Sequence, residues 1–275
     1  MSIEKTASFE NSVHNHTPNL RRTPSAWRKT LQMANSELDF KRYGAAVHWL
    51  KQAISEGADA YECTLKMADI YAEAEQWPQA MDAAERAVAL GGSSLQSYER
   101  LMQIALEAGN RDRAIEACKA VIKISPRHIG AHTVLGTVYM KHGEMEAAMR
   151  IASTLVRLVP QDGSYRFHKA LLCQHQGEVA LAVHEFSEAL RLDPEGAYAE
   201  DAREALETLD MYQLNQIVTL AMEDIVFRGR LLNEAADAAL ERGFCLSDTG
   251  NQMLFEFARE TLPELPRPLR CYRYN

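Results

Sequence analysis

Residues 129–162 read IGAHTVLGTVYMKHGEMEAAMRIASTLVRLVPQD, and this stretch decides the fold. Its apolar residues, Val134, Leu135, Val138, Tyr139 and Met140, then Met145, Ala148, Met149, Ile151 and Ala152, follow helical steps and do not alternate as in a strand. Gly143 divides the two runs, because glycine takes a positive φ without steric cost and lets one helix fold back on another. Pro160 closes the second run, since it has no N–H for a further turn and disfavours helix in the residue before it. The stretch therefore predicts a helical hairpin with arms of about 12 to 14 residues, each about 20 Å long at 1.5 Å per residue.

The same signals return outward from this hairpin. Alanine recurs every 34 residues at Ala46, Ala80, Ala114, Ala148 and Ala182. Gly109, Gly143 and Gly177 precede three of these alanines by five residues, and Pro126, Pro160 and Pro194 follow them by twelve. A fixed period of this length is the signature of a solenoid, in which each unit buries its apolar face against its neighbours. The first unit is looser, with Ala58 where later units have proline.

These residues resemble the tetratricopeptide-repeat family. In that pattern a Leu-Gly-x-x-Tyr stretch lies on the first helix, here Leu135, Gly136 and Tyr139. An alanine at the twentieth position lets the two helices approach, and a proline at the thirty-second ends the hairpin, here Ala148 and Pro160. The other units carry the same signals: Met67, Ala68, Tyr71 and Ala80, then Tyr98, Leu101, Ala114 and Pro126, then Ala170, Gly177, Ala182 and Pro194. The resemblance implies an all-α fold, a right-handed superhelical α-solenoid with a C-terminal helical extension. The expected divisions are a disordered polar segment 1–24 and five repeats within 25–196, at 27–60, 61–94, 95–128, 129–162 and 163–196. A capping helix 197–210, a helical module 211–262 and a basic, aromatic tail 263–275 complete the chain.

Beyond Pro194 the period fails, for Gln216 stands where the next alanine would fall. A terminal unit must present a polar outer face, so a break is expected there. Helices are predicted at Glu200 to Leu209, Leu214 to Arg228, Leu231 to Arg242 and Thr249 to Thr261, with Ser247 or Asp248 capping the last. Phe227 to Leu246 also resembles, over a short span, the leader segments of nitrile-hydratase-like and Nif11-like families. That similarity implies an accessory role beside a modifying or maturation enzyme.

Composition bounds the function. A formal charge of −8 argues against nucleic acid, because phosphate binding needs a concentrated basic surface. No run of about 18 apolar residues is present, and Met1 to Pro24 lacks the apolar core of a secretory signal, so a cytoplasmic location without membrane insertion is expected. Cys63, Cys118, Cys173, Cys245 and Cys271 form no Cys-x-x-Cys pair and read as reduced thiols. The phosphate loop, the Gly-x-Ser-x-Gly elbow and the His-Glu-x-x-His motif have no match, so no enzyme, cofactor or metal site is predicted. His128 and His132 stand four apart at a helix entry, but no third ligand of matching spacing accompanies them.

The resemblance further implies that the first helix of each hairpin lines a concave groove, through fixed positions along that helix. Carried onto this chain, those positions point to Leu31, Asn35, Leu65, Asp69, Glu73, Glu99, Gln103, Thr137, Phe167 and Leu171 as peptide-binding residues. The groove is expected to be acidic in the second and third repeats, and apolar with histidine in the fourth and fifth. The acidic positions disfavour carboxylate-terminated chaperone tails and suit a basic, partly apolar peptide or helix of a partner protein. A second expectation is self-assembly or autoinhibition, with the tail residues Arg267, Arg270, Tyr272 and Arg273 docking in the acidic groove of the same chain or of a homo-oligomer neighbour.

Overall fold

The structure, a computed structural model, describes residues 26–91 and 94–265. The expectations for segment 1–24 and for Arg267, Arg270, Tyr272 and Arg273 lie outside these residues. The described residues are helical and contain no strand. Two compact units, Met1–Leu90 and Gly91–Asn275, divide the chain.

The first unit holds two hairpins, α1 (Ala26–Asp39) with α2 (Tyr43–Ser55) and α3 (Ala60–Glu73) with α4 (Trp77–Leu90), and α2 packs on α3. The recurring alanines Ala46 and Ala80 are fully buried, as close helix approach requires. Asp59 caps α3 by accepting from the Tyr61 and Glu62 amides, and Thr30 of α1 donates to the Glu56 carboxylate just beyond α2, 2.6 Å away. That bond is the main reason the Glu56 carboxyl is held below its ordinary range. At the two hairpin turns Lys41 and Glu75 adopt φ values of 55° and 56°. These are the positions at which the later repeats place Gly109, Gly143 and Gly177, with φ of 69°, 74° and 77°. The turn geometry is thus the same in all five hairpins, and in the first two it is imposed on residues that carry a side chain.

In the second unit three hairpins follow: α5 (Leu95–Glu107) with α6 (Arg111–Ile124), α7 (Ile129–Lys141) with α8 (Met145–Leu158), and α9 (Gly163–His175) with α10 (Val179–Leu192). Each second helix packs on the first helix of the next hairpin, and α10 packs on α11 (Ala199–Glu223). This is the nearest-neighbour stacking of an α-solenoid. Ala114, Ala148 and Ala182 are buried at the hairpin crossings. Gly136 serves the same end, because a Cβ there would meet Ile151 of α8 at 3.2 Å.

The C-terminal part differs from expectation in its helix boundaries. The predicted helices Glu200 to Leu209 and Leu214 to Arg228 are largely one helix, α11, 25 residues long. Neither glycine nor proline occurs between Ala199 and Glu223, so nothing interrupts it. Its first half joins a core with Phe167, Phe186, Leu206 and Leu209. Its second half joins another with Leu214, Ile217, Phe227, Leu231, Leu254 and Leu262. Short helices α12 (Ile225–Leu231), α13 (Ala235–Glu241) and α14 (Asp248–Glu256) close this second core, followed by a π-helical turn at Phe257–Thr261 and a 3-10 turn at Leu262–Glu264. Helix α12, with Gly229 inside it, runs across the gap expected between Arg228 and Leu231. Ser247 caps α14 through its bond from the Gly250 amide, as the sequence implied. Buried Arg228 donates to the Leu262 and Leu265 carbonyls, at 2.6 and 2.7 Å, and so anchors the end of the described chain.

Candidate functional site

One cleft in the second unit is formed by α7, α8 and α9. Thr133, Thr137 and Met140 come from one side of α7, since they recur at helical spacing. Ala148 and Ala152 of α8, with Leu172 of α9, form its apolar floor. Small residues at Gly136, Ala148 and Ala152 leave open space that larger side chains would fill. Tyr165 and His168, three residues apart on α9, make the far wall. The cleft opens to solvent and leaves about 60 Å³ of room for the centre of a water-sized sphere, and none of its lining residues is Asp, Glu, Lys or Arg.

Two carboxylates of the second unit, Glu99 and Glu185, are already bound by other side chains. Glu99 of α5 accepts a hydrogen bond from His128 Nε2 at 2.6 Å. Nδ1 of the same ring accepts the Ala131 amide at 3.0 Å and caps α7, so Nδ1 carries no proton and Nε2 must be the donor. Glu185 of α10 is 3% exposed and is claimed by Arg166 at 3.0 Å and Lys169 at 2.6 Å, both on α9. A buried carboxylate with two cations locks the α9–α10 hairpin, and removing either partner leaves an uncompensated charge.

The ten expected groove residues fall in both units. Leu31, Asn35, Leu65, Asp69 and Glu73 belong to the first unit. There Asn35 and Glu73 are exposed, Leu31 and Asp69 are half-buried, and Leu65 is 6% exposed in the core. In the second unit Gln103 is exposed and donates to Glu107 at 3.1 Å, while Glu99 is bound to His128. Thr137 lines the cleft and Leu171, 42% exposed, faces solvent.

Phe167 calls for correction. It is 9% exposed, its ring stacks on Tyr198 at 5.4 Å between centroids, and Phe186 lies 5.7 Å away. The cause is Tyr198, which lies beyond the last repeat and covers the position that a repeat template leaves open. Gly163 makes room for it, since a Cβ there would fall 1.9 Å from the Tyr198 hydroxyl. Leu65 likewise belongs to the interior and not to an open wall. Conversely, Ile151, Leu155 and Tyr165 line the cleft without having been anticipated, because two of them come from a second helix. The small residue at Gly136 was the available signal that α8 would show through.

Three of the repeat thiols are held protonated by burial. Burial pushes the Cys118 thiol up to about 12 and raises those of Cys63 and Cys173. A thiol held protonated is a poor nucleophile and a poor metal ligand. Among the described residues no group of three or more His, Cys, Asp or Glu is arranged to hold a metal ion, and no helix is long and apolar enough to cross a membrane.

Residues 65–129 and 105–171 each match a family model described as tetratricopeptide repeat. Residues 65–171 of the chain carry tetratricopeptide repeats. No curated protein sequence matches it. Among solved structures, the MamA protein is similar at 20% identity and a TM-score of 0.54, covering 63% of this chain and 95% of that one. MamA from Desulfovibrio magneticus RS-1, residues 41 to end, is 16% identical with a TM-score of 0.52, covering 62% and 97%. YrrB, a tetratricopeptide-repeat protein with an unusual peptide-binding site, is 14% identical with a TM-score of 0.53, covering 65% and 98%. At these identities the likeness is one of fold. It spans under two thirds of this chain, which is longer than those it resembles.

Proposed function

We propose that this protein is a non-enzymatic adaptor that holds a peptide or helix of a partner protein against the first helices of its repeats, with the α7–α9 cleft as the anchoring site. The observation that carries this reading is the cleft itself: an open, uncharged pocket lined by helices of two successive repeats. An apolar anchor in such a pocket supplies affinity, while charges on the partner and on the repeats set register. Tetratricopeptide repeats serve as protein-interaction modules, and the peptide-binding site of YrrB, on the same fold, supports the assignment. Claimed acids and protonated thiols are consistent with binding in place of chemistry.

The test is photo-crosslinking in the native host with benzoylphenylalanine placed at Thr137, compared with the same group at exposed Ser153 of α8. A partner captured from position 137 and not from 153, whose affinity falls at least about tenfold in Thr137→Arg, is expected from burying a charge in a neutral pocket. An unchanged affinity in a folded Thr137→Arg variant removes the cleft from the function.

A further inference from the structure

The cleft has a hydrogen-bonding polarity as well as a shape. The Thr133 and Thr137 hydroxyls donate to the Ile129 and Thr133 carbonyls of their own helix, at 3.1 and 3.0 Å, so their protons are already used and only oxygen lone pairs remain. His168 Nδ1 lies 2.7 Å from the Ser164 carbonyl, which only accepts, so Nδ1 carries the ring proton. In the neutral imidazole Nε2 is then an acceptor, and no described residue bonds to it. Three of the four polar side chains lining the pocket therefore present acceptors, and Tyr165 alone brings a proton of its own. The walls are suited to a flat ring: Tyr165 and His168 give aromatic faces, and the Met140 thioether favours an aromatic edge.

We propose that the α7–α9 cleft selects an uncharged aromatic side chain with one hydrogen-bond donor, an indole of the partner segment, and that His168 Nε2 receives its N–H. The inference rests on the peptide-binding reading above and adds the chemistry of the anchor. A charged side chain is disfavoured because the lining supplies no counter-ion, and a purely aliphatic one leaves the acceptors unmatched. The assignment makes His168 a specificity-determining residue, exposed when the cleft is empty and paired when it is filled.

The full-length protein is titrated with N-acetyltryptophan amide and with its 1-methylindole counterpart, which keeps the ring and lacks the donor. The His168 imidazole nitrogens are followed by NMR. The indole probe is expected to bind about three- to tenfold more tightly than the methylated one, the worth of one neutral hydrogen bond. In His168→Phe the two affinities converge to within about twofold, and Thr137→Trp, which fills the cleft, removes both. Equal affinities in the wild type, no binding of either probe, or a preference that survives His168→Phe overturns the proposal. If crosslinking from Thr137 still captures a partner in any of those cases, the adaptor reading stands and the indole assignment alone falls.

Discussion

His128 Nε2 donates to Glu99 Oε1 across 2.6 Å, joining the first helix of the third repeat to the entry of the fourth. The ring has two tasks, because its Nδ1 also caps α7. Losing both costs about 2 kcal/mol, roughly 1 for the cap and a similar amount for the bond to a carboxylate. His128→Ala is expected to lower the unfolding midpoint accordingly. His128→Asn keeps a capping oxygen but cannot span to Glu99, so about half of the loss is regained. Denaturant unfolding of the three proteins checks this, and equal stability of the Ala and Asn variants contradicts the cap.

Asp210 and Gly250 are matched in the same way at the other end of the second unit. The Asp210 carboxylate is 1% exposed and accepts from the Ser247 amide at 2.9 Å and from the Ser247 hydroxyl. A Cβ at Gly250 would lie 2.4 Å from its carboxyl carbon. Gly250→Ala therefore displaces a buried, fully engaged acid and is expected to destabilise by roughly 3 kcal/mol. In an Asp210→Ser background the shorter side chain clears the space, and the same substitution is expected to cost under about half as much. A double-mutant cycle that shows strict additivity refutes the contact.

How much of this was legible follows from where the information lies. The hairpins, their turns and their alanine crossings were readable because each signal is local and repeats in phase, from Gly109 and Gly143 to Ala114 and Ala148. The single α11 was missed by expecting a boundary where the period ended, although the absence of glycine and proline argued otherwise. The site was less readable, since partners from outside the repeat template decide it. Tyr198 turns Phe167 into core, His128 occupies Glu99, and Ile151 and Leu155 reach the cleft from α8. Position in a repeat told which helix a residue is on, and not what covers it.

The strained turns of the first two repeats give a third prediction. Lys41 and Glu75 hold φ near 55° where the later repeats use glycine, a conformation that costs a side-chain-bearing residue about 1 to 2 kcal/mol. Part of that is offset by the greater chain entropy glycine brings to the unfolded state, so Glu75→Gly is expected to stabilise the first unit by roughly 0.5 to 1 kcal/mol. The reverse change, Gly143→Ala, is expected to destabilise the second unit by about 1 kcal/mol or more, with open space around the Cβ leaving backbone strain as the sole cause. Hydrogen exchange of the α3–α4 and α7–α8 hairpins separates the two effects, and a destabilising Glu75→Gly contradicts the common turn geometry.

Thiol chemistry supplies the last prediction. Cys63, Cys118 and Cys173 are buried and their thiols are raised by burial, that of Cys118 to about 12, so almost none is thiolate in neutral solution. Cys245 is half-buried, in the loop whose backbone pairs with the Gln213 side-chain amide at 2.7 and 2.8 Å. In a Cys271→Ser protein, a thiol reagent added under native conditions is expected to label Cys245 first. The three repeat thiols react only as their hairpins open, at rates that track local unfolding and lag by about a hundredfold or more. Mass spectrometry of the labelled peptides reads the order directly. Early modification of Cys118 contradicts the packed α5–α6 hairpin, whereas early Cys245 labelling that slows when Gln213 is kept and quickens in Gln213→Ala shows the amide pairing to be what guards the loop.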